Sequence, residues 1–147
     1  MIGRLGALAL IAALLASANA AALEFRSVAE PAAILYDAPS AKAQKLYVLS
    51  QGYPVEVVVK LEAWIKVRDE SGEFAWIEKS RLSERHTVMV RVASAEVRQA
   101  PNENSAVVFT AEKNVFLELV DVAVGWARVR HIDGATGFVK VSQLWGL

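Results

Sequence analysis

Cysteine is absent, which excludes a disulfide framework, a thiol nucleophile, a cysteine-held zinc and attachment through a lipidated cysteine. Histidine is scarce, His86 and His131 being the two. A nucleophilic triad needs a base beside the nucleophile and zinc needs three or four clustered ligands, and neither histidine has such neighbours in sequence. Both are expected in solvated turns. An excess of charge is lacking too, with 16 basic and 16 acidic residues. Nucleic-acid binders carry a basic surplus that neutralises phosphates, so nucleic acid is not expected as a partner. Asp69, Glu70 and Glu73 fit no calcium-loop spacing and read as a solvated turn. No metal, cofactor or catalytic residue is expected, and the chain reads as no enzyme.

Long apolar runs are missing except at the start. Arg4 precedes an apolar stretch from Leu5 to Ala16, followed by Ser17 and the triplet Ala18-Asn19-Ala20. The run is shorter than the roughly 20 residues that a spanning helix needs. A basic start, a short apolar run and small residues at Ala18 and Ala20 predict a signal peptide over 1–20, cleaved before Ala21. The expected product is exported, periplasmic or secreted, with no stable membrane span. Cleavage removes Arg4 alone among the charged residues, leaving 15 basic and 16 acidic residues and a net charge of −1.

The remainder repeats itself at an offset of 62 residues without gaps. Ala38-Pro39 maps onto Ala100-Pro101, Trp64 onto Trp126, Val67-Arg68 onto Val129-Arg130, Gly72 onto Gly134 and Leu82 onto Leu144. A self-similar period reports the structural unit. Two copies are too few for a solenoid, so the reading is two tandem domains, at 24–84 and 85–147. The link Ser83-Glu84-Arg85-His86-Thr87 is short and lacks glycine and proline, which predicts a fixed pair.

Each copy signals strands. Leu46 to Leu49 is a short β-prone run, and Tyr53 to Lys60 is rich in β-branched residues. Trp64 to Arg68 and Glu73 to Ile77 flank the turn formers Asp69-Glu70-Ser71-Gly72, predicting a hairpin. Val115 to Val122, Trp126 to Arg130 and Ala135 to Val139 repeat the scheme. No helical period lasts ten residues between Leu23 and Leu147. Glu78 to Arg81 and Lys140 to Gln143 each predict one helical turn before an inward leucine. The fold class is all-β, two small barrels or sandwiches of four or five short strands each.

The second copy runs Glu96-Val97-Arg98, Ala100-Pro101, Gly125-Trp126-Ala127-Arg128-Val129, Asp133-Gly134 and Gly137-Phe138-Val139, closing on Leu144. The first carries Leu35-Tyr36-Asp37-Ala38-Pro39, Trp64-Ile65-Lys66-Val67, Gly72 and Ala75-Trp76-Ile77, closing on Leu82. This ordered set resembles the bacterial SH3-like (SH3b) domain, whose pattern is Asn-Val-Arg, Gly-Pro, Gly-Trp-x-x-Val, an Asp-Gly turn and Gly-Trp-Val before a Leu. The chain departs from it at Glu96 and Ile34, where the family has Asn, and at Ala38 and Ala100, where it has Gly. The resemblance implies two five-stranded barrels used as binding modules, often for cell-wall peptides, and implies no catalysis.

Period-2 geometry puts Trp64, Lys66 and Arg68 on one face of their strand and Ile65 and Val67 on the other. Trp126, Arg128 and Arg130 repeat this. An odd-length turn would pair Val67 with Ala75 and Ile65 with Ile77, and an even one would swing Phe74 and Trp76 to the Val67 face. The odd register is preferred because it keeps Ala75, Ile77, Gly137 and Val139 inward. It leaves Trp64, Lys66, Arg68, Trp76 and Glu78 outside, matched by Trp126, Arg128, Arg130, Phe138 and Lys140. Two roles stay open for these aromatics: rings that cap the barrel mouth, or a groove in which they bury a peptide and the cations meet its carboxylates. Tyr36, Tyr47 and Tyr53 add polar-tipped rings to the first copy, which is the expected binder if only one copy binds. The expected partner is peptidoglycan or an envelope peptide. The rival is assembly, through docking onto another exported protein by barrel surface or strand edge.

Overall fold

The computed structural model describes residues 22–29 and 31–147. The expected signal peptide and its cleavage site at Ala18, Ala20 and Ala21 lie outside the described residues. The strands are β1 (Phe25–Val28), β2 (Ala32–Tyr36), β3 (Lys45–Ser50), β4 (Pro54–Lys60), β5 (Trp64–Arg68), β6 (Phe74–Glu78) and β7 (Leu82–Ser83). The same series continues as β8 (Thr87–Val90), β9 (Ser94–Arg98), β10 (Val107–Glu112), β11 (Phe116–Ala123), β12 (Trp126–Arg130), β13 (Thr136–Lys140) and β14 (Leu144–Trp145). Single 3₁₀ turns, Lys79–Arg81 and Val141–Gln143, precede β7 and β14. These are the helical turns expected before Leu82 and Leu144. No helix among the described residues is long and apolar enough to cross a membrane.

Two seven-stranded sheets result, in the orders β3-β2-β6-β5-β4-β1-β7 and β10-β9-β13-β12-β11-β8-β14. One topology is therefore used twice. The count exceeds the expected four or five because β1 and the two-residue β7 also pair, too short and irregular to stand out as period-2 runs. In the first copy Val28, Leu35, Leu49, Val55, Ile65, Val67 and Ile77 form one buried cluster, with Leu82 packed against it. A sheet whose first and last strands share one core must curl on itself. β4 shifts register between Val57 and Val59, and β11 does so between Leu119 and Asp121, the positions 62 residues on. An extra residue bends the strand and increases its twist. It also turns Val58 and Val59 outward, ending the alternation that the sequence carries as far as Val57.

The β5–β6 pairing sets Val67 against Ala75 and Ile65 against Ile77, the odd register. Its loop turns at Gly72, whose φ is 91°, and at Gly134 in the second copy, whose φ is 94°. Side chains rarely adopt that region, which glycine enters freely. Gly137 answers a different demand. A Cβ there would stand 2.6 Å from Val97 Cγ1 and 2.7 Å from the Arg98 carbonyl oxygen, although its repeat mate is Ala75.

The two sheets dock directly. Phe25 of β1 stacks on the linker residue His86 with ring centroids 5.7 Å apart and meets Trp145 of β14 edge-on at 5.3 Å. His86 Nε2 lies 2.5 Å from the Gly146 carbonyl oxygen. Thr87 Oγ1 donates to the Gly52 carbonyl at 2.7 Å, and Ser27 Oγ donates to that of Arg85 at 2.9 Å. His86 is thus an interface residue rather than the solvated turn histidine expected, because the five-residue link is short enough to be drawn into the seam. The two copies thus meet through ring contacts and hydrogen bonds along one seam.

Gly137→Ala is expected to destabilise the second copy by about 1–3 kcal/mol, the usual cost of overpacking, since one of the two clashes is with backbone. Ala75→Gly should cost only about 0.5–1 kcal/mol. Chemical denaturation of both variants checks this. A Gly137→Ala stability equal to that of the unaltered protein would refute it.

Candidate functional site

The hairpin register decides what faces outward. Trp64 lies opposite Glu78, Lys66 opposite Trp76 and Arg68 opposite Phe74, and on this outer face the side chains are partly buried or exposed while Ile65, Val67, Ala75 and Ile77 are buried. The expected stripe exists, but its cations are engaged within the chain. Arg68 Nε donates to Glu56 Oε2 at 2.6 Å, and a second guanidinium nitrogen joins the same oxygen. Lys66 Nζ stands 5.5 Å from the centre of the Phe74 ring, a cation–π distance. Trp76 pairs with Tyr36 of β2 as well as with Lys66.

The tyrosines separate. Tyr36 is buried and meets Trp64 edge-on, with ring centroids 5.3 Å apart and an interplanar angle of 87°. Trp64 is half-buried on this support. Beside it opens a cleft of about 820 Å³. One wall is Pro39, Ser40 and Ala41 from the β2–β3 loop; the other is Glu62, Ala63, Glu78, Lys79 and Ser80. Local bonds hold both walls. Asp37 Oδ1 accepts from the Gln44 N–H at 3.0 Å and Ser40 Oγ from the Lys42 N–H at 3.2 Å. The Lys79 N–H donates to the Ala63 carbonyl at 2.9 Å, tying the β4–β5 turn to the 3₁₀ turn. Trp76 does not line this cleft. The loop and turn residues escaped the sequence argument, although Ala38-Pro39 was among the repeat's anchors; only folding brings that anchor to Trp64.

Tyr47 and Tyr53 stand at the β5–β6 turn instead. Tyr47 donates its O–H to Asp69 Oδ2 at 2.9 Å, and Asp69 Oδ1 accepts from Ser71 Oγ at 2.6 Å and from the Glu73 N–H at 3.0 Å. Asp69 is buried, 7% exposed. The solvated turn expected of Asp69, Glu70 and Glu73 therefore needs correcting at Asp69, whose carboxylate organises the loop from inside. Tyr53 accepts weakly from the Glu70 N–H at 3.4 Å and packs its edge against Phe116 of the second copy at 5.5 Å, so its ring serves the seam.

The second copy keeps the frame and changes the partners. Trp126 is half-buried, Arg128 is exposed, and Phe138 lies between Arg128 and Arg98 in register. Arg98, the counterpart of Tyr36, donates to the Ser105 carbonyl at 2.7 Å and pairs with Glu96. Where the first copy bonds Tyr47 to Asp69, the second sets Phe109 against His131 at 5.7 Å. His131, also expected in a solvated turn, is thus packed on a ring, and its Nδ1 lies 3.1 Å from Asp133. Lys140 Nζ pairs with Glu103 Oε1. Among the described residues no three His, Asp or Glu side chains gather as a metal set.

Burial first, and then the Asp69 carboxylate, pushes the Tyr47 phenol above its ordinary range; burial likewise raises Tyr53. A raised folded-state value means that the neutral phenol stabilises the fold. That contribution is complete below about pH 10, the unfolded value, and is lost as pH rises beyond it. Tyr47→Phe should cost about 1.5–3 kcal/mol at pH 7, as for a hydrogen bond to a charged group, and should flatten the loss of stability above pH 10. Thermal melts from pH 7 to 11 check both; equal stability at pH 7 would show that the bond contributes nothing.

The chain matches the family described as bacterial SH3 domain over residues 29–84 and again over 91–146. Among solved structures it is similar to NlpC2 from Trichomonas vaginalis, at 18% identity and a TM-score of 0.40, covering 84% of this chain and 48% of that one. For NlpC1 from the same organism the values are 20%, 0.40, 88% and 48%. For a NlpC/P60 family protein from Bacillus cereus they are 16%, 0.38, 82% and 55%. The chain spans about half the length of each of these structures. No curated protein matches it. Two family matches, one on each curled sheet, place the chain in the bacterial SH3 domain family as a tandem pair.

Proposed function

We propose that this protein is an exported binding module that recognises a cell-wall or envelope peptide through the first copy's cleft, with Trp64 as its anchor. The observation that carries the reading is the cleft itself: a half-buried tryptophan, held edge-on by the buried Tyr36, forms one side of an open concavity of about 820 Å³. Ligand sites are concave, largely apolar and furnished with few polar groups, and tryptophan is prominent among residues that dominate binding energy. Membership in the bacterial SH3 domain family supports binding over catalysis. The candidate residues then divide by role. Trp64 contacts ligand and Tyr36 positions it, whereas Tyr47, Tyr53 and Arg68 are structural. Lys66 and Trp76 flank the site, and Trp126, Arg128 and Phe138 form a variant face without the Tyr36 support.

Export rests on the basic, apolar and small-residue order of 1–20. Intact mass of the envelope fraction is expected to give a chain starting at Ala21. Recovery of the full-length form from cytosol would refute processing.

Co-sedimentation with purified sacculi, beside thermal melts, tests the site. Trp64→Ala is expected to keep a folded, cooperative melt while weakening binding at least tenfold. Trp126→Ala should leave binding within about twofold. Unchanged binding by Trp64→Ala would move the site elsewhere, and loss of folding by Trp64→Ala would make the ring a barrel cap.

A further inference from the structure

The charge of the first cleft is opposite to what the aromatic and basic stripe implies. Arg68 is bound to Glu56 and Lys66 stands over Phe74. The ionised side chains that line the cleft are Glu62, Glu78 and Lys79, two negative and one positive. Among the described residues neither Glu62 nor Glu78 has a hydrogen bond or ion pair to another side chain. The second copy provides an internal comparison. Sixty-two residues on, Glu62 becomes Val124, Lys79 becomes Val141, Glu78 becomes Lys140 and Ala41 becomes Glu103. There the ammonium of Lys140 is held by the carboxylate of Glu103, linking the loop after Pro101 to the end of β13. The charges at that place satisfy one another. In the first copy the opposing position is Ala41, which carries no charge, so among the described residues the Glu78 carboxylate at the end of β6 has no cation within ion-pair distance.

We propose that the first cleft takes a primary ammonium group of its ligand, and that the second copy has no such specificity. The inference rests on the reading of the Trp64 cleft as the wall-binding site. An ammonium entering there meets two carboxylates and the face or edge of an indole. Carboxylates form charge-assisted hydrogen bonds with an N–H donor, and tryptophan is the best aromatic partner for a cation. A peptide carrying a free side-chain or terminal amine supplies that group. A peptide offering only carboxylates would be repelled by the net charge of the lining.

Chemical treatment of sacculi tests this on the unaltered protein. Acetylation converts amines to neutral amides, and reductive methylation keeps their charge. Binding is expected to fall at least tenfold on acetylated sacculi and to stay within about threefold on methylated ones. Glu62→Gln and Glu78→Gln should each weaken binding to untreated sacculi by about tenfold, a difference of about 1.4 kcal/mol. Ala41→Glu with Glu78→Lys, which installs the second copy's ion pair, should abolish the preference for free amines. Equal binding to acetylated and untreated sacculi would overturn the amine specificity while leaving wall binding intact. Sensitivity to acetylation that both glutamine variants retain in full, with undiminished affinity, would place the amine outside this cleft and overturn the inference. Absence of binding to every preparation would overturn the wall-binding reading itself.

Discussion

Everything outward on this protein depends on one backbone registration, that of β5 with β6. Setting Ile65 opposite Ile77 and Val67 opposite Ala75 sends the small and β-branched side chains into the core. The same step sends Trp64, Lys66, Arg68, Trp76 and Glu78 to the other face. A slip of one residue would exchange the two sets. With no disulfide available, a domain of about 60 residues must be held by such a core, and it buries only about 60% of its unfolded surface. The Asp69 carboxylate secures the register from the turn: it gathers Tyr47, Ser71 and the Glu73 N–H around the loop.

The repeat preserves this core and varies its rim. Ile65, Val67 and Ile77 give way to Ala127, Val129 and Val139, all buried. Around them the polar contacts are rewritten in pairs. Tyr47 with Asp69 becomes Phe109 with His131, so the ring that loses its hydroxyl also loses the carboxylate that received it. Ala41 facing Glu78 becomes Glu103 facing Lys140. At the turn, paired change is what contact demands, since the buried Asp69 carboxylate left without its donors would cost about 1–3 kcal/mol or more, whereas Glu103 and Lys140 pair on the exposed rim. The two copies therefore share a fold and differ in the surface that each offers.

Docking of the copies adds a second constraint. Phe25, His86 and Trp145 form a ring cluster across the seam, and Tyr53 meets Phe116. Apolar surface that each small domain could not cover alone is buried there, at about 25 cal/mol per Å². Such a seam adds buried apolar surface to each repeat, which suits small domains without covalent staples. It also commits Tyr53 to structure and leaves the Trp64 cleft at a different surface of the first copy.

The sequence by itself determined the repeat, the all-β class, the hairpins with their glycine turns and the division of β5 and β6 into inner and outer faces. Each of these is a local or periodic property, written in spacing, β-branching and residues that tolerate positive φ. The tertiary structure alone decided which outward groups are free. Whether Arg68 serves a ligand depends on Glu56, twelve residues away, and whether Tyr47 is available depends on Asp69, twenty-two away. The first was resolved when β4 paired with β5, the second when folding brought Tyr47 of β3 to the turn after β5. The cleft has the same origin. Pro39, Glu62 and Lys79 belong to three separate connections, and only the curl of the sheet, bent at the β4 bulge, assembles them around Trp64. Periodicity reports which face a side chain takes; the partner it meets on that face depends on strands distant in the chain.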